Sequence, residues 1–288
     1  MSKSENKSEK SKVAALSVGA AAALTAMKLA VGLATGSLGI LSEALHSAVD
    51  MLAAGATYLA VNFSGKPADN EHNFGHGKIE NISALAEALL LLGIAGWIIW
   101  EAVERLAGKY AELEIGFWSF AVVSVSLVVD IGRASALSRA AKKYKSQALE
   151  ADALHFSTDI LSSAAVLAGL AFAYFGVHSA DPAAALCVAA IIAAVSLRLC
   201  SRAIDELLDK APEGLRGEVD EILNGVDGVI KSHDLRVRAC GGVNIIDVNI
   251  HVSPTLNIVQ AHEISERAEA LLRDKLGDSI INIHVEPE

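Results

Sequence analysis

The sequence predicts a chain in two parts, an all-α membrane domain of six helices and a small α+β domain with the element order αββαβ. Three observations lead there. Hydrophobic residues make up 52% of the 288, and the mean hydropathy is +0.41, high for a water-soluble domain. The apolar content is concentrated before about residue 204, in runs near the roughly 20 residues that cross a bilayer as a helix. Beyond that point the pattern turns to short amphipathic and alternating segments. The expected divisions are 1–12, a cytoplasmic N-terminal tail, 13–204, a six-span transmembrane domain, and 205–288, a cytoplasmic domain.

The spans follow in order from hydropathy: about Val13 to Thr35, Leu38 to Phe63, Ile79 to Leu106, Ile115 to Ala140, Glu150 to Phe175 and Pro182 to Cys200. Gly36, Gly65, Gly108 and Gly176 punctuate their ends. Lysine and arginine set the orientation. Lys3, Lys7, Lys10 and Lys12 precede the first span, Lys66 and Lys78 separate the second and third, and Arg139, Lys142, Lys143 and Lys145 separate the fourth and fifth. Arg198 and Arg202 follow the sixth, while the opposite loops hold little beyond Arg105 and Lys109. Both termini are therefore expected in the cytoplasm. In the last 84 residues, Gly214 to Leu223 and Ile258 to Leu276 read as amphipathic helices, the second ended by Gly277. Ile230 to Val237, Val243 to Val252 and Ile280 to Val285 read as strands, with Gly241-Gly242 as a hairpin turn. This predicts a small open sheet with helices on one face, and its size favours dimerisation.

The net charge of −10 argues against a nucleic-acid partner. Cys187, Cys200 and Cys240 are scattered and odd in number, which argues against a disulfide framework.

Ionisable residues inside spans are costly and therefore functional candidates. His46 and Asp50 lie four residues apart in the second span, His155 and Asp159 four apart in the fifth. That spacing places each pair on one helix face. The two spans run antiparallel, the pairs fall at overlapping depths, and each histidine is set beside the other helix's aspartate. Two nitrogens and two carboxylate oxygens suit tetrahedral Zn²⁺ and also accept Fe²⁺, Co²⁺ or Mn²⁺. The alternative is a pair of packed, hydrogen-bonded histidines, with an aspartate neutralised by Lys28. Glu43 and Asp152 each stand three residues before a pair's histidine, and Asp152 is also a favourable acid in a helix's first turn. Glu87 has no evident partner, and Asp130 and Arg133 are spaced to pair with each other. After the second span, Asp69, His72 and His76 sit in one short loop, able to hold a metal or simply polar.

Taken together, these stretches resemble the cation diffusion facilitator family of divalent-metal/proton antiporters. The resemblance rests on Gly36-Ser-Leu-Gly-Ile-Leu-Ser-Glu-Ala-Leu-His46-Ser-Ala-Val-Asp50, on Pro67-Ala-Asp69 with His72-Asn-Phe-Gly-His76-Gly-Lys78, and on Asp152-Ala-Leu-His155 with Asp159. His233-Asp-Leu-Arg-Val-Arg and His284-Val-Glu-Pro in the tail complete it. It implies a homodimer in a bacterial inner membrane, each protomer carrying six spans and a ferredoxin-like, metallochaperone-like cytoplasmic domain. The transport site would be His46, Asp50, His155 and Asp159, in the form that looks zinc-preferring. The loop site would be Asp69 and His76 with His72 near it, and Lys78 would meet Asp209 at a dimer contact. In the tail the resemblance implies metal ligands His233, His262, His284 and Glu286. This sequence departs from the zinc transporters by placing Asn249 where they have a strand histidine. His251 and Asp247, on the same strand face as Asn249, are the substitutes that keep a single or shifted site open.

The expected activity is export of a divalent cation in exchange for protons, with protonation of His46 or His155 competing against metal. Metal on the tail would draw two cytoplasmic domains together. Fe²⁺, Mn²⁺ or Co²⁺ as main cargo is the alternative within this class. A membrane metal sensor or scaffold without flux is the alternative outside it. An intramembrane metalloenzyme is disfavoured, because the chain has no HExxH motif and the four residues are all wanted as ligands.

Overall fold

A computed structural model describes residues 3–35, 38–107, 117–174 and 180–288. Gly36, Gly108, Gly176 and Lys109, and the span ends at Ile115 and Phe175, lie outside these residues, as do the side chains of Glu43 and Arg105. The chain divides into two compact units, Met1–Ile204 and Asp205–Glu288.

The described residues of the first unit form six long helices: α1 (Lys3–Thr35), α2 (Leu38–Ser64), α3 (Ile79–Leu106), α4 (Phe117–Tyr144), α5 (Gln147–Tyr174) and α6 (Ala180–Leu207), whose last turn enters the second unit. Among the described residues, four segments, Ser8–Ala34, Ala44–Ser64, Ile79–Glu104 and Ala185–Leu207, are long and apolar enough to cross a membrane. α4 and α5 carry Asp130 and Arg133, and Asp152 and Asp159, within their apolar runs. Small residues let the backbones close up, as is usual between membrane helices. Ala14, Ala60, Ala134, Ala140, Ala141, Ala148 and Ala153 pack around Leu137, Leu149 and Phe156. Ala84, Ala88 and Ala151 join α3 to α5 against Leu199 and Cys200 of α6.

α1 begins at Lys3, ten residues before the apolar run, so most of the expected polar tail is helix. Its polar turns are held by side chains rather than by burial. Ser11 Oγ donates to Asn62 Oδ1 at 2.9 Å, and Lys143 Nζ and the Tyr144 hydroxyl both donate to Glu9. Lys10 pairs with Glu80, a buried carboxylate that also accepts from Ser64 Oγ at 2.7 Å and from Ser146 Oγ. Glu80 thus ties α1, the end of α2, the start of α3 and the start of α5.

The second unit contains α7 (Leu215–Asn224), β1 (Lys231–Cys240), β2 (Val243–Val252), α8 (Ile258–Leu276) and β3 (Ser279–Pro287). The sheet order is β1-β2-β3, with β1 antiparallel and β3 parallel to β2. Gly241 and Gly242 both have positive φ, at 58° and 81°, which the two-residue turn between Cys240 and Val243 requires. Asn257 and Gln260 form a reciprocal capping box that starts α8. Alternation along β2 turns Ile246, Val248, Ile250 and Val252 toward α7 and α8, where Val219, Leu223, Ile264, Ala268 and Leu272 complete the core. Asp247, Asn249 and His251 consequently line the opposite face of the sheet.

Candidate metal centres

Antiparallel α2 and α5 bring the four intramembrane residues together. His155 Nε2 lies 3.1 Å from Asp50 Oδ1 and 3.8 Å from Asp159 Oδ2, and His46 Nε2 lies 3.9 Å from Asp50 Oδ1. Donor atoms of His46, Asp50 and Asp159 all fall within 4.8 Å of one another. Ligands on a tetrahedral Zn²⁺ with bonds near 2.0–2.1 Å stand about 3.3 Å apart, so the observed separations bracket what a cation needs. His155 is 1% exposed and Asp50 8%, whereas the side chain of His46 is half open.

Charged neighbours surround this group. Lys28 Nζ donates to Ser47 Oγ at 2.8 Å, next to the site. Arg133 lies over the Phe156 ring at 3.5 Å and donates to Asp130 Oδ1 at 3.3 Å, the pair that their spacing suggested. It also donates to Ser17 Oγ at 3.1 Å, and Ser17 passes a hydrogen bond to Asp152 Oδ2 at 3.3 Å. Asp152 is fully buried, and its carboxylate joins α5 to α1 through that serine. Thr57 Oγ1 supplies the partner for Glu87 that the sequence did not reveal, at 3.3 Å.

In the loop, Asp69 Oδ1 accepts the backbone N–H groups of His72 at 2.6 Å and Glu71 at 3.0 Å. Those bonds, the one from His72 foremost, hold the Asp69 carboxyl below its usual range. The chain reverses at Gly75, whose φ of 81° suits glycine, and its N–H returns to the His72 carbonyl at 2.9 Å. The turn places His72 Nδ1 and His76 Nε2 each 3.5 Å from an Asp69 oxygen, with the two rings 4.4 Å apart. Asp69, His72 and His76 therefore offer three converging donors. Lys78 closes the loop, its carbonyl accepting from Asn81 and Ile82 as α3 begins.

In the tail the register decides which candidate side chains meet. His233 stands opposite Asn249, Asn249 opposite His284, and His251 opposite Glu286. An irregularity after His233, with Asp234 at φ 53°, ends the regular pairing of β1 there. His233, His251 and Glu286 converge as a cluster. Asn249 donates to Glu286 Oε1 at 3.1 Å, and His284 Nε2 lies 3.6 Å from the same oxygen. His262, on α8, pairs with Glu266 of its own helix at 3.4 Å. Asp247 accepts from Asn282 at 3.3 Å. Neither is in the cluster. Glu288, which sequence reasoning did not single out, lies 2.8 Å from His251 Nδ1, and the hydrogen bond from Lys231 holds its carboxyl below the usual range. Asp209 accepts from Arg238 at 3.0 Å within this unit.

Residues 14–208 match the family model for the cation efflux transmembrane domain, and residues 211–288 match the one for the cation efflux protein cytoplasmic domain. The cation-efflux pump FieF of Citrobacter koseri is 35% identical over 255 residues, covering 88% of this chain and 84% of that protein. Its namesake from Salmonella arizonae is 35% identical over 277 residues, covering 93% and 92%. Among solved structures, a MamM C-terminal domain is 28% identical over 26% of this chain and 98% of its own, with a TM-score of 0.26. With both domain models matched in sequence order and relatives aligned along nearly the whole length, the chain belongs to the cation diffusion facilitator family of membrane cation-efflux transporters.

Proposed function

We propose that this transporter exports a divalent transition-metal cation, Zn²⁺ foremost, from the cytoplasm in exchange for protons, by alternating access at His46, Asp50, His155 and Asp159. The observation that carries this is the convergence of two imidazoles and two carboxylates from α2 and α5 at near-ligand spacing. Such a donor set suits Zn²⁺, and the absence of thiolates from it disfavours Cu⁺. The carboxylates neutralise the cation's charge. Protons entering from the outer side compete for the imidazole nitrogens, because these bind metal only when deprotonated.

In this reading residues 13–204 form a six-span transport domain and 205–288 a cytoplasmic metal-binding and dimerisation domain. Both termini face the cytoplasm of a bacterial inner membrane. Lys78 and Asp209 meet at the membrane–cytosol boundary of a homodimer. Asp69, His72 and His76 hold a cation near the cytoplasmic mouth, and the His233–His251–Glu286 group holds a regulatory one. His262, His284 and Asp247 stand outside that group as further tail donors.

The test is a flux assay in proteoliposomes with an imposed pH gradient, run on Zn²⁺, Fe²⁺, Mn²⁺ and Co²⁺. Zn²⁺ uptake should depend on the gradient and vanish in Asp50→Ala and His155→Ala. Unchanged flux in either variant would refute the site, and a different preferred ion would reassign the cargo.

A further inference from the structure

The side of His155 turned away from Asp50 is unfinished. Its Nε2 faces Asp50, while Nδ1 is buried without a hydrogen-bond partner among the described residues. A metal-ligating imidazole almost always gives its second ring N–H to a carboxylate, a carbonyl or a water, since that bond fixes both the tautomer and the ring plane. Buried polar groups left without partners are rare enough to require an explanation.

Glu87 on α3 carries the complementary defect. It is 6% exposed, its Oε2 accepts from Thr57, and its Oε1 is buried without a partner among the described residues. The contact between Ser146 and Glu80 sets the starts of α5 and α3 side by side. Glu87 and His155 each stand eight residues past those starts, at Ile79 and Gln147. At 1.5 Å per residue both lie about 12 Å along their helices. Ala84 and Ala88 of α3 meet Ala151 and Leu154 of α5 at this level, so the backbones approach closely there. Across that interface Glu87 and His155 interact electrostatically.

Asp152 also leaves one oxygen, Oδ1, without a partner. Its other oxygen belongs to the Ser17–Arg133 network on the α1 and α4 side. Asp152, three residues before His155 on the same helix, also interacts with it electrostatically, but its carboxylate is drawn toward Ser17 and Arg133, whereas Glu87 faces His155 from the neighbouring helix.

The geometry points to Glu87 as the residue that positions His155, its free oxygen taking the Nδ1 proton directly or through one water and leaving Nε2 for the transported cation. Glu87 does not touch the cation; it acts through the imidazole. The assignment rests on His155 being a ligand, and the experiment separates the two ideas.

Zn²⁺ binding is measured by calorimetry across a pH series on the full chain in detergent, in a parent carrying Asp69→Ala and His251→Ala so that intramembrane binding alone is read. Glu87→Leu should weaken Zn²⁺ about 10–100-fold and shift the pH at which half the sites fill. It should also alter the visible spectrum of bound Co²⁺. Glu87→Gln, which still offers an acceptor, should fall between Glu87→Leu and the parent. Asp152→Asn should leave the Co²⁺ spectrum as in the parent. If Glu87→Leu does not fold, Glu87→Gln and Thr57→Val give the same readouts, and both must differ from the parent. Parental affinity, pH profile and spectrum in the Glu87 variants would overturn the assignment, as would finding the loss in Asp152→Asn instead. Parental binding in His155→Ala would show separately that the ligand reading had failed.

Discussion

The Nε2 atoms of His233 and His251 lie 2.9 Å apart, with Glu286 Oε2 3.2 Å from the first and 3.3 Å from the second. These three donor atoms converge as one group, and one tail cation per protomer is expected. His251→Ala should therefore abolish Zn²⁺ binding by the tail, while His262→Ala, whose ring is engaged with Glu266, should leave it intact. Calorimetric stoichiometry on the full chain with Asp50→Ala and Asp69→Ala in place reads this directly, with one tail site per protomer expected.

Asp69 has a depressed pKa because folding supplies backbone N–H donors to its ionised form. A carboxyl with a lowered folded pKa contributes its stabilisation in full above the ordinary value. That contribution declines as the pH falls below the ordinary value and is gone once it passes the lowered one. The carboxylate in the folded turn should therefore stay ionised at a pH where an ordinary aspartate is already protonated, while its stabilising contribution shrinks across that range. Asp69→Asn can still accept from His72 and should keep the turn while losing the charge a cation needs. Asp69→Ala should lose both. Limited proteolysis between Lys66 and Lys78, alongside Zn²⁺ binding, distinguishes the two variants.

Arg133 sits over Phe156 and is hydrogen-bonded to Asp130 and, through Ser17, linked to Asp152. Arg133→Ala leaves buried carboxylates without their cation and should cost about 3–5 kcal/mol. Arg133→Lys should restore only part of it, because an ammonium cannot stack and fork as a guanidinium does. Thermal unfolding in detergent reports both, and Asp130→Asn should soften the effect of Arg133→Ala.

Gly32 of α1 lies where a Cβ would come within 2.8 Å of Leu41 Cδ2 and 3.1 Å of its backbone nitrogen. Gly32→Ala should push α1 from α2 and cost about 1–3 kcal/mol. Gly55 has nothing within 4 Å of the equivalent position, so Gly55→Ala should be neutral or slightly stabilising. A pair of melting curves settles the contrast.

Much of the helical bundle was legible because hydropathy marks spans independently of their partners. α2 and α3 begin within a residue of the expected positions. The start of α1 was not legible. Residues Lys3 to Lys12 carry no apolar periodicity, and their helix is held by Glu9 with Lys143, Lys10 with Glu80 and Ser11 with Asn62, partners that are distant in sequence. In the tail, alternation and the Gly241–Gly242 turn sufficed for the β1–β2 hairpin. The parallel register of β3 depends on how α8 crosses over, which no local pattern encodes, so the placement of Glu286 opposite His251 emerged only in three dimensions. The four intramembrane residues were legible because i, i+4 spacing on antiparallel helices is itself geometry. Glu87 was not, since its relation to His155 needs α3 and α5 in register.

The convergence of Lys10, Ser64 and Ser146 on Glu80 has a practical consequence for handling this transporter. The first dozen residues look like expendable sequence, the natural place to trim or to attach an affinity tag. Lys10 among them is in fact one strut of a four-way joint at the end of the bundle where α3 and α5 begin. Shortening the N-terminus past Lys10 would remove the cation from that joint and leave Glu80 buried with only hydroxyl partners. A tag is better placed elsewhere, and a truncated protein should not be taken as wild type in transport.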